Sequence, residues 1–408
     1  MKKTLLLIIP LFLYSDTLKE LLNFATAHND LVISKKYSEQ SKTKELESRK
    51  SAYYPTVDVG AFYKRDDEPS PFQAGDTLSG FAQAQFDIYD GGKKSSQVDR
   101  AQYALKSSLH DTKAYTKSLA LQITEDFFNI KNLEASLDAR EEAQKSLKAQ
   151  LARITRFYDA KMATKDDVDR VQADFDTNIY NMESIKFQII SLKSMLELKV
   201  GKKIESLDDA SFTKQIVTEY ETLDSTKALI AQNNSIKSTA TTLESVYYPN
   251  ITIEDKYSLY KFERQDPFVT PLNKQNSLLL TLNFRVFDYG EVAKAKEAIL
   301  LSTQALNSRI NYQTKEQKVQ YNLAKQRIVT ANARIKSAKS ALNAATSAFI
   351  TIEKKYNAGI VDYVVYLETL TKKTNSKAFY ESSLNDLEVA YATLYFYEGK
   401  DIKEELKQ

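Results

Sequence analysis

Apolar positions step by three or four along one stretch of this chain and by two along others. Leu119, Ile123, Phe127, Ile130, Leu133 and Leu137 form one stripe, continued by Ala143, Leu147, Leu151 and Ile154. That spacing places them on one face of a helix, near the heptad repeat of coiled coils. Taken alone, this stretch reads as an ordinary coiled-coil rod. Elsewhere Val57, Val59, Ala61 and Tyr63 alternate with Thr56, Asp58 and Gly60, and Ala82, Ala84, Phe86 and Ile88 alternate with Gln83, Gln85 and Asp87. A second window repeats the alternation with Ile251 and Ile253, then Leu278, Leu280, Leu282, Phe284 and Val286, with Leu279 as an exception. A period of two predicts strands. Each window reads as two strands of about ten residues, joined by polar loops near Arg65–Thr77 and Glu263–Gln275.

Helix breakers sharpen this division. Apart from Pro10, every proline lies in the two strand windows: Pro55, Pro69 and Pro71, then Pro249, Pro267 and Pro271. Stretches 93–200, 202–248 and 291–358 contain neither Gly nor Pro. Nothing there interrupts a helical hydrogen-bond ladder.

The two windows are copies. Tyr53-Tyr54-Pro55 recurs as Tyr247-Tyr248-Pro249, and Phe86-Asp87-Ile88-Tyr89-Asp90-Gly91-Gly92 as Phe284-Arg285-Val286-Phe287-Asp288-Tyr289-Gly290. Phe157-Tyr158-Asp159-Ala160 recurs as Lys355-Tyr356-Asn357-Ala358. The chain is therefore read as a tandem duplication. Residues 16–202 carry a helix near Thr17–Lys50, a hairpin at about 55–90, a long helix at about 93–157 and a helix at about 165–200. Residues 203–408 carry a helix, a hairpin at about 249–288, a long helix at about 291–355 and a helix at about 361–398. Each long helix would extend roughly 98 Å at 1.5 Å per residue. Residues 1–15 read as a secretory signal, with Lys2 and Lys3 before the apolar run Leu5–Leu13. The other reading, a membrane anchor, would need a run of about 20 apolar residues.

Four strands cannot close a membrane barrel, which needs at least about eight. Strands of ten residues suit a tilted crossing of a bilayer. The chain is thus expected to share its sheet with other copies, three of them giving twelve strands. The aromatics of the windows, Phe62, Tyr63, Phe81, Tyr89, Tyr257, Tyr260, Phe262 and Phe287, are expected to form interfacial girdles; filling a soluble sandwich is the other reading.

Composition narrows the chemistry. The 408 residues include no Cys, no Trp and only two His, His28 and His110. No nucleophile–base–orienter set can be built from these, and no phosphate-binding loop is present. His28 lies beside Asn29 and Asp30 but has no partner at metal-ligand spacing. An enzyme, a metal site and a cofactor are all disfavoured. The formal charge of +3, or +1 without Lys2 and Lys3, is no nucleic-acid footprint. A mean hydropathy of −0.45 argues against a bundle of membrane helices.

With these motifs in this duplicated order, the sequence resembles the TolC-like outer-membrane efflux family over nearly its whole length. The resemblance implies a mainly α fold with membrane β: a trimer with four strands per protomer in a shared twelve-stranded β-barrel, continuing into a long α-helical barrel in the periplasm. It implies a homotrimer in outer-membrane lipid that engages a periplasmic adaptor (membrane fusion protein) and an inner-membrane pump. It places the hairpin-tip motifs at Tyr158–Val168 and Tyr356–Val364, with Thr164, Val168, Gly359 and Asp362 as their marks. By position Asp167 and Tyr356 match the family's gate latch, whose basic member is replaced here by Val361. Of the two acidic positions that form a pore ring in some members, one is Val365 here and the other is Glu368. Three Glu368 carboxylates in a ring would repel one another and favour cations; an ordinary solvated helix residue is the competing reading. For Asp167 the competing reading is a carboxylate at a helix N-terminus, favoured by the dipole. For the whole chain the alternative is a soluble periplasmic coiled-coil scaffold or pump adaptor.

Overall fold

The computed structural model describes residues 16–68, 70, 74–215, 219–264 and 272–407. The signal segment and parts of both strand-connecting loops lie outside them. Among the described residues seven α-helices and four strands follow the duplicated order: α1 (Leu18–His28), α2 (Asp30–Ser51), β1 (Thr56–Arg65), β2 (Asp76–Tyr89), α3 (Lys93–Asp159), α4 (Lys165–Val200), α5 (Asp224–Glu244), β3 (Asn250–Glu263), β4 (Lys274–Asn283), α6 (Glu291–Asn357) and α7 (Tyr363–Tyr397). Helices α3 and α6 have 67 residues each. Two compact units form, and neither coincides with a sequence half. One combines residues up to 34 with 112–224 and 314–408; the other combines 35–111 with 225–313.

Three expected elements differ. The helix expected over Thr17–Lys50 is two helices, broken at Asn29, whose backbone is extended. The Asn29 Oδ1 accepts from the amides of Leu31 and Val32, and its Nδ2 donates to the Lys199 carbonyl. One amide side chain thus caps α2 and secures it to α4, a preference of Asn that no apolar periodicity reveals. Among the described residues of the Gly- and Pro-free stretch 202–248, the α-helix runs from Asp224 to Glu244, followed by a short 3-10 turn. Gly201 ends α4 at φ 89°. Beyond it the backbone groups pair with the chain's ends: Asp16 with Leu207, and Phe212 with Leu406, as isolated bridges. The last strand stops at Asn283 rather than continuing through Val286.

In the first unit the α3 stripe is the core, as its spacing predicts. Leu119, Ile123, Phe127 and Ile130 are buried with Leu18, Leu21, Leu22 and Ala25 of α1 and with Tyr391, Leu394 and Tyr395 of α7. Phe128, Phe212 and Tyr395 continue it as a chain of ring contacts, with centroids 6.1–6.4 Å apart.

In the second unit the four strands form one antiparallel sheet in the order β1-β2-β3-β4. Among the described residues β1 and β4 each have one neighbour, so the sheet has two open edges. The register divides its faces. One cross-strand row joins Val57, Ala84, Asp255 and Leu278; the next joins Val59, Ala82, Tyr257 and Asn276. Phe86, Ile253 and Leu280 extend this apolar face, which Asp255, Asn276, Lys261 and Lys274 interrupt. On the other face one row joins Asp58, Gln83, Lys256 and Ser277. Parity splits the aromatics expected to form interfacial girdles. Tyr63 and Tyr257 share the apolar face. Phe62, Phe81, Tyr260 and Phe262 lie on the polar one, because a residue one position along a strand points the other way.

The duplicated strand-end motif starts each long helix. Asp90 accepts from the amides of Gly92 and Lys94, and Asp288 accepts from those of Gly290 and Val292. The following residue has φ 69° at Gly91 and 54° at Tyr289. A Cβ on Gly91 would come within 2.7 Å of the Ser245 carbonyl and of Tyr248, whereas Tyr289 is 88% exposed. The first copy therefore requires glycine and the second does not. Gly91→Ala is expected to destabilise the second unit by more than the ~1–2 kcal/mol of left-handed backbone strain, and Tyr289→Ala by far less; thermal unfolding of the two variants checks this.

Candidate functional site

Two helical hairpins, α3–α4 and α6–α7, end in matched turns within the first unit. At the first turn the Lys161 amide donates to the Tyr158 carbonyl and the Met162 amide to Phe157; at the second, Gly359 donates to Tyr356 and Ile360 to Lys355. Lys161 and Gly359 hold the same left-handed position, at φ 61° and 74°. Thr164 caps α4 and Asp362 caps α7 by accepting from the amides of Asp167 and Val365. The tip motif thus consists of a left-handed turn residue followed by an N-cap. Val168 lies four residues after the Thr164 cap, the place that Tyr366 holds after Asp362.

Asp167 is committed to its own helix. Its carboxylate accepts from the Thr164 amide at 3.0 Å and hydroxyl at 2.8 Å. The Thr164 amide, then its hydroxyl, hold the carboxyl below its ordinary value. No hydrogen bond joins Asp167 to Tyr356 among the described residues. Tyr356 instead stacks on Tyr366, with centroids 4.9 Å apart, beside Tyr363. Tyr366 is fully buried in a cluster with Phe349, Ala143, Leu147 and Leu370. Burial pushes the hydroxyls of Tyr363 and Tyr366 above their ordinary value, so both stay neutral. Among the described residues no group meets hydrogen-bond geometry with the buried Gln150 Oε1 or the Tyr363 and Tyr366 hydroxyls, although Asp174 neighbours Tyr363, and Gln150 and Ser146 neighbour Tyr366.

The basic tie between the hairpins comes from a residue that the motif comparison passes over. Arg153, in the last two turns of α3, donates to the Asn357 side chain at 2.6 Å and to the Asn357 carbonyl at 3.2 Å. Its guanidinium lies 5.1 Å from the Tyr356 ring centroid and 5.3 Å from that of Phe157. It thereby closes the C-terminal end of α6, where exposed carbonyls favour a cation. No motif marks Arg153; its counterpart in the second half is Thr351.

About three turns back along α3 from Arg153, Glu142 accepts from Lys373 at 2.8 Å and Lys377 at 2.7 Å, both on α7. These two ammonium groups hold its carboxyl at about 2, against 4.5. A carboxyl depressed on folding contributes stability that is complete above its unfolded value and lost as pH falls through its folded one. The tie between α3 and α7 is therefore expected to persist down to pH about 4.5 and to weaken from there to about 2. An acid titration followed by cross-linking across 142 and 373 would show a flat upper range.

Glu368 is exposed on α7 and lines a shallow groove with Val364, Leu367, Lys372 and Asn375. Lys372, one turn on, puts a positive charge on the same face. Among the described residues no group of His, Cys, Asp and Glu could hold a metal, and no helix is long and apolar enough to cross a membrane.

Residues 21–181 match the sequence model of the outer membrane efflux protein family. No curated protein sequence matches the chain. Among solved structures, the outer membrane protein VceC of Vibrio cholerae superposes with a TM-score of 0.82 at 14% identity, covering 94% of this chain and 96% of VceC. This protein has the TolC-like outer-membrane channel fold. The same fold is shared with the Campylobacter jejuni CmeC channel, at TM-score 0.82 and 12% identity over 94% of this chain and 85% of CmeC. The open-state Neisseria gonorrhoeae MtrE channel matches at TM-score 0.77 and 13% identity, over 95% of this chain and 90% of MtrE. CmeC and MtrE are outer membrane channels.

Proposed function

We propose that this chain is one protomer of an outer-membrane efflux channel, a passive duct to the exterior. The observation that carries this is the four-stranded sheet with one exposed apolar face and two open edges, in a chain of TolC-like fold. An isolated sheet in lipid would leave the outer backbone groups of β1 and β4 unpaired, at several kcal/mol per group (~1–3 even in proteins). Pairing β1 of one copy with β4 of the next removes both edges, and three copies reach twelve strands. The helices then extend into the periplasm, where an adaptor and an inner-membrane pump supply substrate and energy. The paired hairpin tips are the gate. Arg153 holds one hairpin to the other there, in the role that the sequence comparison gives to Asp167 and Tyr356.

Purified protein added to a planar lipid bilayer is expected to give discrete conductance steps; a soluble chain without pore activity would overturn the duct. In such channels Glu368→Ala is expected to reduce cation preference and, because Lys372 remains on that face, to turn it toward anions. Reversal potentials in a salt gradient measure this, and unchanged selectivity removes Glu368 from the pore.

A further inference from the structure

The polar face of the sheet is not uniform along the strands. Rows nearest the helices are mostly hydrophilic: Asp87, Thr252 and Thr281, then Thr56, Gln85 and Glu254 with Leu279, then Asp58, Gln83, Lys256 and Ser277. The next rows toward the connecting loops change character. Gly60 pairs with Phe81, Phe62 and Tyr260 flank Ser79, and Phe262 follows beside Thr77. Ser79 and Ser258 are only 1% and 4% exposed on this face, covered by the rings beside them. The Tyr260 and Phe262 rings lie nearly parallel, 15° apart with centroids separated by 5.7 Å. The Phe81 ring lies across Gly60, where a Cβ would come within 2.6 Å of it. Lys256 carries its ammonium into these rows, 4.4 Å from the Phe81 centroid. Among the described residues it has no ion pair.

Water-facing positions inside a channel have no need of this many rings. Lipid contact does not explain them, because they oppose the apolar face. Aromatic faces beside an unneutralised ammonium are the chemistry that holds a flat, negatively charged aromatic molecule: stacking supplies contact and the cation supplies charge.

We propose that Phe62, Phe81, Tyr260 and Phe262 with Lys256 form a collar at the outer end of the lumen that binds planar aromatic anions in transit. The collar rests on the duct reading, in which this face lines the pore and three copies complete a ring. A flat anion lays one face against these rings and meets Lys256; a saturated anion of equal charge finds the charge but no stacking surface.

The test uses the full-length channel in planar bilayers, with naphthalene-2-sulfonate and cyclohexanesulfonate as probes. The aromatic anion is expected to block the current at a concentration at least tenfold lower than the saturated one. Lys256→Gln should weaken that block severalfold. Replacing Phe62, Phe81 and Tyr260 together by Leu should abolish the difference between the probes while preserving an apolar lining. Equal block by both probes, or a difference that survives the leucine replacement, overturns the collar. The chain has no cysteine, so Phe62→Cys and Val59→Cys report the faces without background. A charged thiol reagent should change the conductance of Phe62→Cys channels and leave Val59→Cys channels unaltered. The reverse pattern overturns the collar and leaves the duct standing; protein that forms no channel overturns both.

Discussion

Val59→Arg is expected to abolish assembly in the membrane, whereas Gln83→Arg is expected to leave it nearly intact. The two residues are neighbours across the β1–β2 pair, since Val59 pairs with Ala82 and Gln83 with Asp58. They occupy opposite faces. Val59 is 83% exposed in the single chain, on the face that also carries Val57, Leu280 and Leu282. An arginine facing lipid near the bilayer midplane costs about 2–4 kcal/mol, and a trimer bears that cost three times. This approaches the whole stability of a typical domain, about 5–15 kcal/mol. On the polar face the same arginine meets water and costs little. The fraction of each variant recovered as detergent-resistant oligomer from the membrane measures the contrast. Equal recovery would mean that the apolar face does not meet lipid.

The second large effect is expected at the tips. Arg153→Ala should raise channel conductance, and Tyr356→Phe should not. The guanidinium makes two hydrogen bonds to Asn357 and lies against two aromatic rings. A charge-assisted tie at this exposed end is worth about 1–2 kcal/mol after solvent screening. Its loss would shift a two-state tip by a factor of roughly 5–30. The Tyr356 hydroxyl makes no hydrogen bond among the described residues, so its removal leaves the ring stack in place. Asp167→Ala loses a helix cap, worth about 1 kcal/mol, and should lower stability more than it alters current. Wild-type conductance in Arg153→Ala, or a larger rise in Tyr356→Phe, would return the latch to the tyrosine.

How far the sequence reveals this protein depends on which interactions are local. The α3 stripe, the long helices α3 and α6 and the alternating strands follow from periodicity, and the structure builds them. The strand-end motif is legible for the same reason, because Asp90 and Asp288 bond only to the turn they begin. The break at Asn29 is not legible, since its decisive partner, the Lys199 carbonyl, is 170 residues away. Nor is the extended course after Gly201, which is stabilised by pairing with Asp16 and Leu406. At the tips Thr164, Gly359 and Asp362 are found because caps and left-handed turns have compositional signatures. Arg153 has none: an arginine near the end of a long helix is unremarkable until Asn357 is beside it. The aromatics are visible, and alternation along one strand already separates Phe62 from Tyr63; which rings of different strands share a side follows only from the register of four strands.

The account depends on strand pairing between copies, and the mass of the intact complex tests it most directly. Native mass spectrometry of protein extracted from membranes in mild detergent should show three chains per particle, persisting as lipid is stripped away. A particle of one or two chains would leave strand edges uncovered in lipid and contradict the account.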